Sequence, residues 1–219
     1  MCGVLIFACS RKSQTEPAGA GPLVSSASAE HVAPASLGAA KLGVVAPDFE
    51  LPDLEGKLVK LSSFRGKTIV LEWFNPGCPF VKASHTKGSL VDTAARHEQK
   101  GVVWLAINSG AKGKQGHGVE ANREGKQRFN MTHPVLLDES GAVGRAYAAA
   151  HTPHMYVIDP NGVLVYRGAI DNSPDGEGES PAGGKLVNYV DAAIADVAAS
   201  KPVAIPQTEA YGCSVKYQM

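Results

Sequence analysis

The sequence predicts an α/β chain, a mixed central sheet flanked by helices with an N-terminal β-hairpin. Three observations carry this. Residues 68–74 and 102–107 are continuous apolar runs rich in β-branched and aromatic side chains, as in strands covered on both faces. Stretches with apolar residues at helical spacing lie between such runs, giving the alternation from which layered α/β sheets are built. Near the end, Met155-Tyr156-Val157-Ile158 and Val163-Leu164-Val165-Tyr166 flank the turn Asp159-Pro160-Asn161-Gly162, which reads as a hairpin.

The folded domain is expected over residues 43–200. Phe49-Glu50-Leu51-Pro52 and Leu58-Val59-Lys60-Leu61 flank Asp53-Leu54-Glu55-Gly56 and predict the first hairpin. The strand at 68–74 is broken by Asn75-Pro76-Gly77. A helix then runs from Cys78 towards about residue 100, turning Val81, Leu90, Val91 and Ala94 inward. After the strand at 102–107, a helix is expected over about 120–130, a strand over 134–137 and a short helix over 144–150. The last helix covers about 185–199, with Leu186, Val187, Val190, Ile194 and Val197 at helical spacing. Residues 201–219 form a C-terminal tail carrying Cys213.

Of 219 residues, 44% are apolar and 19% charged, a globular balance sufficient for one domain plus tails. Lysine plus arginine equals aspartate plus glutamate at 21 each, and aromatic residues make up only 6%. Neither a nucleic acid nor an anionic membrane surface finds a field or stacking platform here. The spacing of Cys2, Cys9, Cys78 and Cys213 excludes a paired Cys-x-x-Cys zinc module. Within residues 1–9, Val4-Leu5-Ile6-Phe7-Ala8 before Cys9 resembles the end of a bacterial lipoprotein signal, with Cys9 acylated. The apolar part is shorter than a full signal core and no basic residue precedes it. Residues 10–42, rich in Ala, Gly, Ser and Pro, read as a flexible tether. A periplasmic or cell-envelope address follows if the signal is genuine, and a cytoplasmic one if it is not.

Cys78 stands where the strand turns into a helix, with Pro79 at the first helical position, where its missing N–H costs nothing. A cysteine there faces free N–H groups and the positive end of the helix dipole, which favour thiolate. The expectation is an anionic sulfur within reach of solvent, beside Thr152-Pro153-His154.

Residues 45 to about 200 resemble the thioredoxin-like superfamily, in the redoxin branch that includes the peroxiredoxins. The segments carrying the resemblance begin with Ala46-Pro47-Asp48-Phe49 and Leu61-Ser62-Ser63-Phe64-Arg65-Gly66-Lys67. They continue with Trp73-Phe74-Asn75-Pro76-Gly77-Cys78-Pro79-Phe80, Thr152-Pro153-His154-Met155-Tyr156-Val157-Ile158-Asp159 and the Asn161-Gly162 turn. The resemblance implies a thioredoxin-like fold and a thiol-dependent oxidoreductase, working by thiol–disulfide exchange or peroxide reduction, with Cys78 as the reactive thiol. It also implies a cis bond before Pro153 and a loop packed on the sulfur. Two departures stand out. Val81 occupies the place of the second cysteine of a thioredoxin motif, and Asn75 the place of the hydroxyl residue of a peroxiredoxin. Neither Arg145 nor Arg167 has a convincing spacing for the arginine that supports a peroxidatic thiolate.

Tyrosines on both sides of Gly212-Cys213 are unusual for a frayed end, because large rings settle against a surface. The tail is expected to cross back and bring Cys213 to Cys78. A sulfenic acid or mixed disulfide needs a second thiol for release, which makes Cys213 a candidate resolving cysteine. A structural bridge and a free thiol are the alternatives. His154 is a candidate proton donor. With Cys78, Cys213 and His85 it is also a candidate soft-metal ligand, in which case the chain is a binding protein without turnover. Lys82, one turn after Cys78, reads as a solvated side chain. No organic cofactor is implied. The glycine-rich stretch 109–118 lacks phosphate-loop spacing and reads as a mobile loop. The calcium-like run from Asp171 to Glu177 lacks the closing glutamate, Ala182 standing in its place. The expected partners are an external dithiol reductant of thioredoxin type and a small oxidant or protein disulfide.

Overall fold

The apolar runs become the middle of a five-stranded sheet in the computed structural model, which describes residues 37–173, 175–179 and 184–218. The expected signal with Cys9 and most of the expected tether lie outside the described residues. In chain order, the hairpin is β1 (Glu50–Pro52) and β2 (Leu58–Lys60). Next come β3 (Ile69–Trp73), α1 (Pro79–Thr86), α2 (Thr93–Glu98), β4 (Val103–Asn108) and α3 (Val119–Arg128). There follow β5 (Val135–Leu137), α4 (Ala142–Ala146), β6 (His151–Thr152), β7 (His154–Ile158) and β8 (Leu164–Gly168). The chain closes with α5 (Tyr189–Ala198) and β9 (Cys213–Ser214).

The main sheet has the order β5-β4-β3-β7-β8. The strands β3, β4 and β5 run parallel, while β7 is antiparallel to β3 and β8 to β7. Alternation along the strands divides the core. Leu71, Trp73, Ile107, Tyr147 and Tyr156 fill one side. On the other, Val70, Trp104, Met155 and Val157 meet Val190 and Ile194 of α5, and Phe74, Cys78, Val81, Phe129 and Val135 form the part under α1. The strand β3 is buried along its whole length, and its C-terminal end leads directly into the turn that carries Cys78.

Four element boundaries differ from the expectations. The helix expected to reach residue 100 is cut after Thr86, and a 3-10 turn (Ser89–Val91) separates α1 from α2. The cause is tertiary: a Cβ on Gly88 would lie 2.1 Å from the Gly176 carbonyl, and Ser89 bonds to Asp171. Val91, expected inside, is 55% exposed. The helix expected at 144–150 starts earlier, because Ser140 Oγ accepts from Ala142 N–H and Asp138 from the Val143 and Gly144 N–H groups. The last helix starts only at Tyr189, since the Asn188 side chain accepts from Asp191 N–H at 2.9 Å. Leu186 and Val187 precede it despite their helical spacing. Finally, Ala40 is buried and its N–H donates to the Ala146 carbonyl at 2.8 Å, with Leu37 and Leu42 packed on the core. The packed region thus reaches back into residues expected to belong to the tether.

Candidate active site

The turn after β3 is built by Asn75. Its carbonyl accepts from Cys78 N–H at 3.0 Å, and its side-chain oxygen accepts from Gly77 N–H at 2.9 Å. Its amide donates to the Gln115 carbonyl at 3.2 Å. All three groups hold the turn, which leaves this side chain no role resembling that of a free hydroxyl. Cys78 caps α1 with an extended backbone, and its carbonyl accepts from Lys82 N–H at 3.0 Å. The Lys82 side chain itself is exposed.

The Cys78 sulfhydryl donates to the Thr152 carbonyl at 3.0 Å, and the bond between Thr152 and Pro153 is cis. The sulfur therefore lies beside residues 152–153, as expected, but it is 0% exposed. The expectation of a solvent-reachable sulfur is corrected: Cys78 lies in an apolar cluster with Phe74 and Val81, against which Cys213 of the C-terminal tail packs.

That tail forms β9 antiparallel to β6, with Cys213 in register with Thr152 and Ser214 with His151. Cys213 packs against the Phe74–Cys78–Val81 cluster, within hydrogen-bonding reach of the Cys78 sulfur. Burial, then its interaction with the Cys78 thiol, push the Cys213 thiol up to about 11, against an opposing pull from the Lys216 charge. Both cysteines are thiols in this structure.

Anchors flank Cys213 on both sides. Tyr211 Oη donates to Asp171 Oδ1 at 2.9 Å, and Tyr217 Oη donates to the Ala149 carbonyl at 2.8 Å. Val215 N–H donates to the Ala150 carbonyl at 3.0 Å, and Ala111 N–H to the Lys216 carbonyl at 2.8 Å. The Arg145 guanidinium lies 4.8 Å from the Tyr217 ring centre and donates to the Gln218 carbonyl. Arg145 thus serves the tail, while Arg167 donates to Gln207. The loop 109–118, expected to be mobile, is tied down. Trp73 Nε1 donates to Ser109 Oγ at 3.0 Å, Ser109 Oγ donates to Asp138 at 2.7 Å, and Asn108 donates to the Gly116 carbonyl at 2.9 Å.

His154 lies apart from the two sulfurs in its contacts. Its ring centre is 4.7 Å from that of Tyr156, and Nδ1 is 3.2 Å from Tyr156 Oη. Tyr156 belongs to the core on the Trp73 side, whereas Cys78 belongs to the side of Phe74. Burial, then the charges of His151 and Arg167, lower His154 to about 4, so the ring is neutral at neutral pH. These contacts lend a proton-donor role no support. Among the described residues, no three His, Cys, Asp or Glu side chains converge as a metal site, so the metal-ligand alternative through Cys78, His154 and Cys213 gains no support.

Two features were not anticipated. Glu72, the single charge in the apolar run of β3, is fully buried and accepts from His85 Nε2 at 2.7 Å and Trp104 Nε1 at 3.0 Å. Burial pushes its carboxyl up, but the charge and bond of His85, aided by His133 and Trp104, hold it below its ordinary value. His85 is therefore a partner of Glu72 and not a metal ligand. A charge in the middle of an otherwise apolar strand was the available signal. The second feature is Asp171, read as the start of a calcium-like run, which accepts from Tyr211 and from Ser173 N–H.

Comparison with known proteins agrees with this architecture. The chain is 33% identical over 125 residues to the thiol-disulfide oxidoreductase ResA of Geobacillus thermodenitrificans, covering 57% of this chain and 67% of that protein. A crystal structure of a hypothetical protein from Sinorhizobium meliloti 1021 superposes with a TM-score of 0.71 at 27% identity, covering 83% of this chain and 97% of that one. An uncharacterized conserved protein from Geobacillus kaustophilus gives a TM-score of 0.69 at 31% identity, covering 81% and 93%. The model of the Redoxin family matches residues 41–186. The chain belongs to the Redoxin family.

Proposed function

We propose that the protein is a thiol–disulfide oxidoreductase in which Cys78 attacks and Cys213 resolves. The observation that carries this reading is the pairing of β6 with β9, which sets Cys213 opposite Thr152, whose carbonyl accepts from the Cys78 sulfhydryl. Kinship with proteins named thiol-disulfide oxidoreductases supports the same chemistry.

In the forward step, the Cys78 sulfur attacks one sulfur of a partner disulfide, and the proton it loses ends on the partner sulfur that leaves. A Cys78–partner bond forms, and the second partner sulfur leaves as thiolate and is protonated. The Cys213 thiol then attacks the Cys78 sulfur, its proton passing to the departing partner sulfur, so that the Cys78–Cys213 bond forms as the Cys78–partner bond breaks and the partner leaves as a dithiol. The partner gains two electrons, which an external dithiol of thioredoxin type restores to the cysteine pair. The same pair resolves a Cys78 sulfenic acid if peroxide is the oxidant. Disulfide exchange is favoured because Asn75 is committed to its turn. The reading includes a periplasmic or cell-envelope setting with a tether through Cys9, where disulfides persist.

Mass spectrometry of the full chain treated with oxidised glutathione tests the proposal, with hydrogen peroxide in parallel. The expected products are a Cys78–Cys213 bond in the natural chain and a stable Cys78–glutathione adduct in Cys213→Ser. Both thiols left intact in the natural chain, or the adduct on Cys213 alone, sinks the assignment. A Cys78–Cys213 bond formed only with peroxide moves the function to the peroxidase branch.

A further inference from the structure

We infer that the protein carries a second binding site, at the end of the sheet opposite Cys78, for a small carboxylate with an apolar body. The inference stands apart from the thiol chemistry and uses none of its residues.

The site is a cavity of about 340 Å³ between the N-terminal ends of β3 and β4 and the second half of α5. Lys67 and Thr68 lead into β3, and Val102 leads into β4. The two strands run parallel, and Cys78 follows the far end of β3. The five residues of β3 therefore separate the cavity from the turn that carries the thiol, about 17 Å of extended chain.

The lining divides by chemistry. Val102 together with Ile194 and Ala198 of α5 supplies an apolar wall. Lys67 and Lys100 line the same cavity and are exposed, so they stand at its rim. Among the described residues the lysines engaged in ion pairs are Lys60 and Lys87, which leaves both rim ammonium groups without a counter-charge. No aspartate or glutamate shares the lining. The remaining titratable wall residue is His97, which is buried, with Nε2 2.6 Å from Asp191 Oδ1. Its Nδ1 has no hydrogen-bond partner, an unmet polar group in a wall otherwise satisfied by the chain. Asp191 also accepts from Arg96 at 3.2 Å, so its charge is balanced away from the cavity.

Two free cations over hydrocarbon complement an anion whose body is apolar. Removing the wall and the ligand body from water drives entry, and the ammonium groups select the sign of the head group. A polyanion such as a nucleotide leaves the apolar wall unused, and a bare inorganic anion leaves the cavity unfilled. At about 30 Å³ for each water-sized group, the volume holds about ten non-hydrogen atoms. That is the size of a straight-chain carboxylate of about eight carbons, within the range of ordinary small-molecule sites.

The test titrates the full chain with octanoate, read by calorimetry and by amide proton–nitrogen correlation spectra. Saturable binding is expected with a Kd below about 1 mM, and the largest shifts at Gly101, Val102, Ala195 and Ala198. The double variant Lys67→Gln/Lys100→Gln is expected to bind about tenfold more weakly, and added salt to weaken the natural chain in the same direction. Ala198→Trp, which fills the cavity from an exposed position, is expected to abolish binding. All three substituted side chains are exposed, and an unchanged urea midpoint confirms that each variant is folded. Octylammonium, with the same body and the opposite charge, is expected not to saturate. Absence of saturation by about 10 mM octanoate, shifts confined to other parts of the chain, or full binding by folded Ala198→Trp overturns the site. Equal binding of octylammonium, or no loss in the lysine double variant, overturns the carboxylate assignment. None of these readings depends on the state of Cys78 or Cys213, so the site and the thiol-exchange reading stand or fall separately.

Discussion

His133 and His154 are both held neutral by burial, with one consequence for stability. His133 is 3% exposed, neither of its ring nitrogens has a hydrogen-bond partner, and burial lowers it to about 4. His154 reaches about 4 beside Tyr156. An unfolded chain titrates both near pH 6.5. Between pH 6.5 and 4 the unfolded state therefore binds protons that the folded state does not. Stability rises with pH across that window and is lost as pH falls to about 4. Urea unfolding is expected to show a lower midpoint at pH 4.5 than at pH 7, each histidine contributing roughly 2–3 kcal/mol. In His133→Leu the slope is expected to flatten, and an unchanged slope refutes the assignment. The opposite case is Cys213, whose thiol is pushed up to about 11 and so waits protonated beside Cys78.

Helix α3 reaches the active-site turn through Gly125, where a Cβ would stand 2.4 Å from Pro76 Cβ and 3.3 Å from the Phe74 ring. Replacing a helix-interior glycine by alanine ordinarily stabilises by about 1 kcal/mol. Here the neighbour is a rigid ring in the turn that sets Cys78. Gly125→Ala is therefore expected to destabilise by about 1–3 kcal/mol and to change the alkylation rate of Cys78. Denaturant unfolding together with timed alkylation checks both effects, and a stabilised variant with unaltered alkylation refutes the contact. This close approach also marks where the sequence was legible and where it was not. Continuous runs such as 102–107 announced their strands, because burial on both faces leaves a local trace. The gap after Thr86 left none, because it is set by Gly88 meeting the Gly176 carbonyl, a segment far along the chain. The start of α5 was missed for a different reason. Asn188 caps it in competition with the helical spacing of Leu186 and Val187, and the cap prevails. Within the site, the motif around Cys78 and the two tyrosines of the tail pointed to the meeting of the cysteines. The Glu72–His85 pair needed coordinates, since its meaning lies in what approaches it.

Across the whole molecule, the two thiols come from positions far apart in the chain, 78 and 213, and this separation fixes how redox state and stability are coupled. In the dithiol form the tail is held by one short strand pair, two tyrosine hydroxyls and a few backbone bonds. Each such bond contributes about 1 kcal/mol net. Oxidation joins Cys78 to Cys213 and removes from the unfolded ensemble every conformation in which that long loop is open. In the chain-entropy picture this amounts to roughly 5 kcal/mol. At this chain length, about 2–4 °C of Tm corresponds to each kcal/mol. Calorimetry is therefore expected to place the oxidised form about 10–20 °C above the reduced one, with the difference abolished in Cys213→Ser. The coupling runs both ways: what stabilises the oxidised fold makes the bond harder to reduce, so loosening the tail raises the reduction potential of the pair. Tyr211→Phe, which deletes the bond to Asp171 and leaves both sulfurs in place, is expected to narrow the Tm gap and to raise that potential together. A variant that moves one without the other breaks the link between tail docking and redox state.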